Sequence, residues 1–259
     1  MEKKDLLKDV IKHIDIKSYN STELIDAMRN MSFTSRDTAR AADILMMMCK
    51  EKECTNILTL AGSTSAAGCM QVYVDMVRNK MIDVVVATGA SIIDMDLFEA
   101  LGFKHYIGEK ENVIADTTLR DLYIDRIYDT YIDEEELQAC DHTTFEIANM
   151  LEARPYSSRE FIYEIGKWLH EGHAVKKDSL IQTCYECGVP IFVPAFSDSS
   201  AGFGIGKHQW ERMQKGEKYL SIDSVKDFVE LTQIKMQAPE TGLFMVGGGA
   251  PKNFAQDTV

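Results

Sequence analysis

A doubly wound, mostly parallel α/β sheet behind an N-terminal helical layer is the architecture this sequence predicts. Four short runs carry the prediction: residues 56–62, 83–89, 189–195 and 242–249. Each is apolar nearly throughout, and each ends in glycine or other small residues. Strands without in/out alternation are buried on both faces, as a parallel sheet covered by helices on both sides requires. The starts at Asn56 and Asp83 are separated by about one strand, one crossover helix and one turn, with residues 69–80 as that helix.

Residues 5–50 read as helical. Ser18 or Ser21 is placed to cap a first segment carrying Leu24, Ile25 and Met28, and Thr34 or Ser35 to cap a second. In the second, Ala39, Ala42, Leu45, Met46 and Cys49 recur at helical spacing and form one apolar stripe. The run from Met46 to Met48 suits irregular core filling or a pliable binding surface. Residues 1–50 are therefore expected to pack as a helical segment on a main α/β domain of residues 51–259. Residues 104–187 are polar, with helices expected at 134–153, 158–170 and 177–187 and a further strand near Tyr106.

Composition narrows the function. The 259 residues are 45% hydrophobic and 27% charged, as in a folded protein rather than a disordered one. The first residues alternate charge with apolar side chains and lack the continuous apolar core of a signal peptide. No apolar run approaches the roughly 20 residues of a spanning helix, so a cytoplasmic protein without a membrane partner is expected. Six cysteines are too sparse for a disulfide scaffold. A net charge of −13 repels nucleic acid and favours cationic ligands such as polyamines or basic peptides.

Open α/β sheets bind ligands at the carboxyl ends of their strands, and four motifs fall there. After the first strand, Ser63, Thr64 and Ser65 offer hydroxyls among residues small enough for the backbone to approach a pyrophosphate. Their spacing is not that of the common dinucleotide fingerprint, and a plain turn before a helix is an equal reading. After the second, Thr88 and Gly89 precede Asp94 and Asp96, which suit a ribose, a cationic group or a helix start. After the third, Asp198 and Ser200 set one carboxylate among hydroxyls, suited to ribose, an amine or a helix cap. After the fourth, Gly247, Gly248 and Gly249 carry an entropic cost that calls for special backbone angles or close ligand approach. No metal site is expected: Cys184 and Cys187 have no second cysteine pair, and His170 and His173 lack the flanks of a zinc helix. Cys140, Asp141 and His142 lie too close in sequence to meet as nucleophile and base.

In their order along the chain, these motifs resemble the deoxyhypusine synthase family and its bacterial relatives, some of which form homospermidine or related polyamines. Further carriers are Met31-Ser32-Phe33 through Ala41, Asp125-Arg126-Ile127, Ile165-Gly166-Lys167, and Lys252 after the triple glycine. The resemblance implies a Rossmann-like sheet holding NAD, with Ser63, Thr64, Ser65, Thr88, Gly89, Asp94, Asp198, Ser200, Gly247, Gly248 and Gly249 lining the cofactor site. It also implies a homo-oligomer, a dimer of dimers, acting on a polyamine substrate and an amine acceptor. The implied chemistry removes hydride from a polyamine carbon, captures the imine on a lysine, transfers the aminobutyl group and returns the hydride. A desolvated neutral lysine is a good nucleophile for that capture.

Departures from the family pattern refine this expectation. Phe203 stands where protein-modifying members carry an aspartate, Asn253 where they carry a histidine, and Asp257 where they carry an asparagine. These three are the candidate substrate contacts, and the changes favour putrescine or agmatine over a protein lysine as acceptor. The family's nucleophilic lysine lies in a Trp-Gly-Lys motif several dozen residues past the triple glycine, beyond Val259. No catalytic residue is therefore assigned, and the chain is expected to be incomplete and inactive alone. The alternative expectation is a catalytically inactive paralogue that regulates or supports a full-length partner.

Overall fold

The structure is a computed structural model and describes residues 2–108 and 114–258. Strands β1 (Cys54–Leu60), β2 (Val84–Ala87), β3 (Tyr106–Ile107), β4 (Ile124–Ile127), β5 (Thr130–Asp133), β6 (Pro155–Tyr156), β7 (Ile191–Phe192), β8 (Ser221–Ile222) and β9 (Glu240–Val246) fall into three sheets. The central one is parallel throughout, in the order β7-β2-β1-β9. Taken in chain order, its strands read third, second, first, fourth. The winding direction thus reverses between β1 and β9, the switch point at which open α/β sheets receive ligands.

Both faces of this sheet are covered. Leu58, Leu60, Val85, Ala87 and Ile191 join one apolar cluster with residues of helices Met70–Arg78, Ser158–Trp168 and Leu180–Cys187. Ile57, Val84, Val86 and Phe192 point the other way, onto Leu231 and Ala255 of helices Ser224–Gln237 and Gly249–Gln256. Burial from two sides is why β1 and β2 are apolar at consecutive positions. The outer strand β9 differs: Met245 is 46% exposed, so its apolar sequence does not mark two-sided burial. The third apolar run is also shorter as a strand than in sequence. Only Ile191 and Phe192 pair, and the flanking Pro190 and Pro194 have no N–H to give the ladder.

The N-terminal layer contains helices Thr22–Met28 and Phe33–Lys50. The second begins after Ser32, ahead of the caps expected at Thr34 or Ser35. It lies on β1 and β9, where Asn56 Nδ2 donates to the Met48 carbonyl at 3.3 Å. The strand expected near Tyr106 exists as β3, but in an antiparallel sheet of order β3-β5-β4 rather than in the central one.

The middle helices are Glu134–Met150, Ser158–Trp168 and Leu180–Cys187. Helix Ser158–Trp168 starts on a reciprocal cap between Ser157 and Glu160, the pattern its sequence advertises. Helix Leu180–Cys187 starts three residues later than expected, because Ser179 caps it by accepting from the Gln182 N–H. Helix Glu134–Met150 packs along Ser200–Gln214, and this close approach needs Gly204, where a Cβ would stand 2.0 Å from Thr144 Oγ1. Among the described residues no helix is long and apolar enough to cross a membrane.

Candidate functional site

The carboxyl ends of the four central strands form one continuous rim. At the switch point the Ala61 N–H donates to the Val246 carbonyl at 2.9 Å, and a Cβ on Gly247 would lie 2.7 Å from the Ala61 carbonyl oxygen. Gly247 takes φ +76, so both its backbone angle and its space exclude a side chain. Next along the rim, Ser91 Oγ donates to the Gly62 carbonyl at 3.2 Å, and Thr88 Oγ1 donates to Ser91 Oγ at 2.9 Å. Beyond these, Gly89 allows the loop after β7 to close in, since a Cβ there would meet Ser199 at 2.6 Å. At about 4.8 Å per strand, the rim from Gly247 to Asp198 is roughly 14 Å long.

Not every hydroxyl on the rim faces outward. Thr64 Oγ1 lies 2.7 Å from the Tyr73 hydroxyl, and Thr88 is taken up by Ser91, so both hold loop shape. Ser65 is buried with its Oγ unpartnered. Open space faces Gly62, Gly248 and Gly249, where an added Cβ would meet nothing within 4 Å.

Beside the β2–β7 end of the rim lies a cleft of about 540 Å³. Its wall includes Asp94, Asp125, Glu134, Asp141 and Asp198, and among the described residues neither lysine nor arginine lines it. Leu137 and Phe203 add apolar surface between these carboxylates. Burial pushes the Asp94 carboxyl above its ordinary value; hydrogen bonds from Ser200 oppose this, and the charges of Asp141 and Asp198 add to it. The Ser200 N–H donates to Asp94 Oδ1 at 2.7 Å, so Asp94 caps helix Ser200–Gln214 from another segment. Burial also raises Asp141, against a hydrogen bond from Ser200, and leaves its Oδ1 without a partner. Asp125 is raised by burial and by the nearby Glu134. A concave surface of one charge sign attracts the opposite charge, and methylene groups between ammonium centres match the apolar lining.

Asp94 and Asp96 illustrate how position on one segment separates tasks. The residues Ala90–Leu97 are wound more widely than an α-helix. Asp94 borders the cleft, whereas Asp96 is buried and accepts the N–H groups of Leu180 and Ile181, each at 2.8 Å. Burial raises Asp96 to about 6 against those two hydrogen bonds.

Of the residues singled out from sequence, Ser63, Thr64, Ser65, Thr88, Gly89, Asp94, Asp198, Ser200, Gly247, Gly248 and Gly249 all stand on the rim or where it meets the cleft. Phe203 lines the cleft and is 73% exposed. Asn253 and Asp257 do not join it: both are exposed, on and just after helix Gly249–Gln256, whose buried Ala255 sits on the far sheet face. Sequence reading named Asp125 only as part of the family resemblance, missed Glu134 as a site residue and set Asp141 aside. For the last two the signal is a stripe, since Glu134, Leu137, Gln138 and Asp141 recur at helical spacing on one face. The described residues hold no cluster of histidine, cysteine and carboxylate groups suited to a metal ion; Cys184 is buried and Cys187 exposed.

Comparison with known proteins follows this geometry. The family described as deoxyhypusine synthase matches residues 23–259. The chain is 67% identical over 258 residues to a deoxyhypusine synthase-like protein of Caulobacter vibrioides, covering all of this chain and 70% of that one. It is 59% identical over 257 residues to a deoxyhypusine synthase-like protein of Coxiella burnetii, covering 99% of this chain and 72% of the relative. A Methanosarcina acetivorans protein named "Probable deoxyhypusine synthase 2" is 40% identical over 245 residues, covering 95% and 68%. A crystal structure assigned to a deoxyhypusine synthase of Entamoeba histolytica superposes with a TM-score of 0.64 at 19% identity, over 92% of this chain and 79% of that one, which speaks for the fold. A glycine-edged rim at a Rossmann-like switch point, with this extent of matching sequence, places the chain in the deoxyhypusine synthase family.

Proposed function

We propose that this chain forms the cofactor and amine-binding face of an NAD-dependent aminobutyl-group transferase acting on polyamines, with putrescine or agmatine preferred to a protein lysine as acceptor. The observation that carries the reading is the cleft of five carboxylates, lined by no lysine or arginine among the described residues and set directly beside the glycine-edged rim. A polyamine meets both of its demands there: charge for the ammonium groups and the Leu137 and Phe203 surfaces for the methylenes between them.

The rim fits a dinucleotide. Gly62, Gly248 and Gly249 leave space against bare backbone at the switch point, and the buried Ser65 Oγ has an unmet hydrogen-bonding capacity. Ser63, Ser65, Gly248 and Gly249 would hold the pyrophosphate, and Asp198 and Ser200 a ribose at the other end. Bound there, NAD would supply a hydride acceptor and later a hydride donor. The side chains do the rest: Asp94 and Asp141 hold one ammonium group, Asp125 and Glu134 another, and Phe203 shields the carbon chain from water. An exposed phenyl ring at position 203 in place of a carboxylate suits a short aliphatic acceptor.

Assembly as a homo-oligomer in the cytoplasm belongs to the same proposal. Its support is the row of exposed apolar side chains on the N-terminal layer, Phe33 at 89% and Met47 at 68%.

Equilibrium binding tests the reading. NAD and spermidine are each expected to bind, each tightening the other, with putrescine and agmatine displacing spermidine and a lysine-containing peptide failing to. Absence of NAD binding with and without spermidine, or displacement by the peptide alone, overturns it.

A further inference from the structure

Residues 9–17 cross the back of the rim as a strap. The Ile11 N–H donates to the His105 carbonyl and the Ile107 N–H to the Asp9 carbonyl, which tie the strap to β3. Farther along, the Ile14 N–H donates to the Gly68 carbonyl at 2.9 Å. Gly68 takes φ +94, and the Lys12 carbonyl oxygen stands 2.8 Å from where its Cβ would be. The strap thus lies directly on the loop that follows β1.

One side chain of the strap joins both loops of the switch-point region. His13 Nδ1 accepts the Met70 N–H at 3.2 Å, and its Nε2 lies 2.6 Å from Glu99 Oε2. Met70 opens the helix directly after the loop of residues 61–69, and Glu99 lies shortly after the wound segment that begins beside Gly89. A ring nitrogen that accepts an amide hydrogen bond presents a lone pair there, so His13 faces the Met70 amide with its Nδ1 lone pair and Glu99 with its Nε2.

The groups facing His13 hold its ring in place. Glu99 is an anion: burial opposes its ionisation, but hydrogen bonds from His105 and His13 and the charge of Lys176 outweigh burial and hold its carboxyl far below the usual range. His105 Nδ1 lies 2.8 Å from Glu99 Oε1, and Lys176 pairs with the same carboxylate. Lys104 lines the same pocket of about 280 Å³. Lys12 precedes His13 on the strap, and Cys69 precedes Met70 on the loop.

We infer that His13 is a positioning residue for the loop of residues 61–69: held by Glu99 through Nε2, it clamps the loop through the Met70 amide at Nδ1. The inference rests on the reading of this loop as part of the cofactor rim.

Hydrogen exchange on the unliganded chain tests the clamp without reference to NAD. His13→Ala removes both contacts and is expected to speed exchange across residues 62–72 about tenfold. His13→Gln, which reaches Glu99 but offers nothing at the Nδ1 position, gives the same result if the alanine variant does not fold. His13→Asn places an amide oxygen where Nδ1 lies and keeps exchange near the native rate. In cofactor binding, His13→Gln loses about five- to tenfold in NAD affinity at constant pH, whereas His13→Asn stays near the native affinity. Native exchange in the glutamine variant, or exchange in His13→Asn as fast as in His13→Ala, overturns the inference. A chain that binds no NAD at any pH refutes the cofactor reading, and the exchange rates then decide the clamp alone.

Discussion

Asp141→Asn separates a binding carboxylate from a structural one, because the two roles move stability and affinity in opposite directions. The substitution removes one negative charge at nearly constant volume from a half-buried position in the cleft. A charge-assisted hydrogen bond to an ammonium group contributes about 1.5–3 kcal/mol. Partial exposure and the four remaining carboxylates favour the lower end, a loss of roughly tenfold in spermidine affinity. Stability moves the other way. The folded carboxyl is raised by burial, so its contribution is fully present below its unfolded value and is lost as pH rises through the folded one. At neutral pH its charge therefore burdens the empty protein, and the amide is expected to raise Tm. Calorimetric titration with spermidine at low and high salt, beside thermal unfolding without ligand, reads both quantities. An unchanged affinity refutes the ammonium site, and a fall in both affinity and Tm assigns Asp141 to the fold instead.

Two further outcomes follow from buried groups outside the cleft. Asp227 is fully buried and raised by burial to about 6, against hydrogen bonds from Ser158 and Arg159; its stabilising contribution is complete below about pH 4 and disappears as pH rises through about 6. Asp227→Asn is therefore expected to flatten the decline in Tm between pH 5 and 7.5, and an identical slope in the variant excludes this residue as its source. Gly247→Ala forces a side chain into φ +76 and against the Ala61 carbonyl, at a cost of about 1–3 kcal/mol. Thermal unfolding with NAD titration is expected to show a lower Tm and a loss of cofactor affinity larger than that of Gly248→Ala, whose Cβ meets open space.

How much of this was legible in the sequence depended on how local the signal was. Strands β1 and β2 were plain, because burial from both sides favours apolar residues at consecutive positions, with Thr59 the exception among the last four of β1. The loops after them were less plain: Ser63, Thr64 and Ser65 read equally well as a turn before a helix. The acidic cleft was not, since its walls come from distant stretches: Asp94 from the segment after β2, Asp125 from β4, Glu134 and Asp141 from one helix, and Asp198 from the loop after β7. Glu134, followed by Glu135 and Glu136, reads by itself as acids favoured in a helix first turn. Asp141 was obscured by Cys140 and His142, which invite comparison with a nucleophile pair. In the fold Cys140 is buried, and His142 faces away and stacks on Phe145. Asn253 and Asp257 were placed by analogy of position, and the helix that carries them turns down the opposite sheet face.

The paired aspartates after β2 have a mechanical meaning. Asp94 holds the first amide of helix Ser200–Gln214 at the edge of the cleft, and Asp96 grips the first amides of helix Leu180–Cys187 in the core. One short segment thus anchors two helices at their first turns, and only one of them borders the cleft.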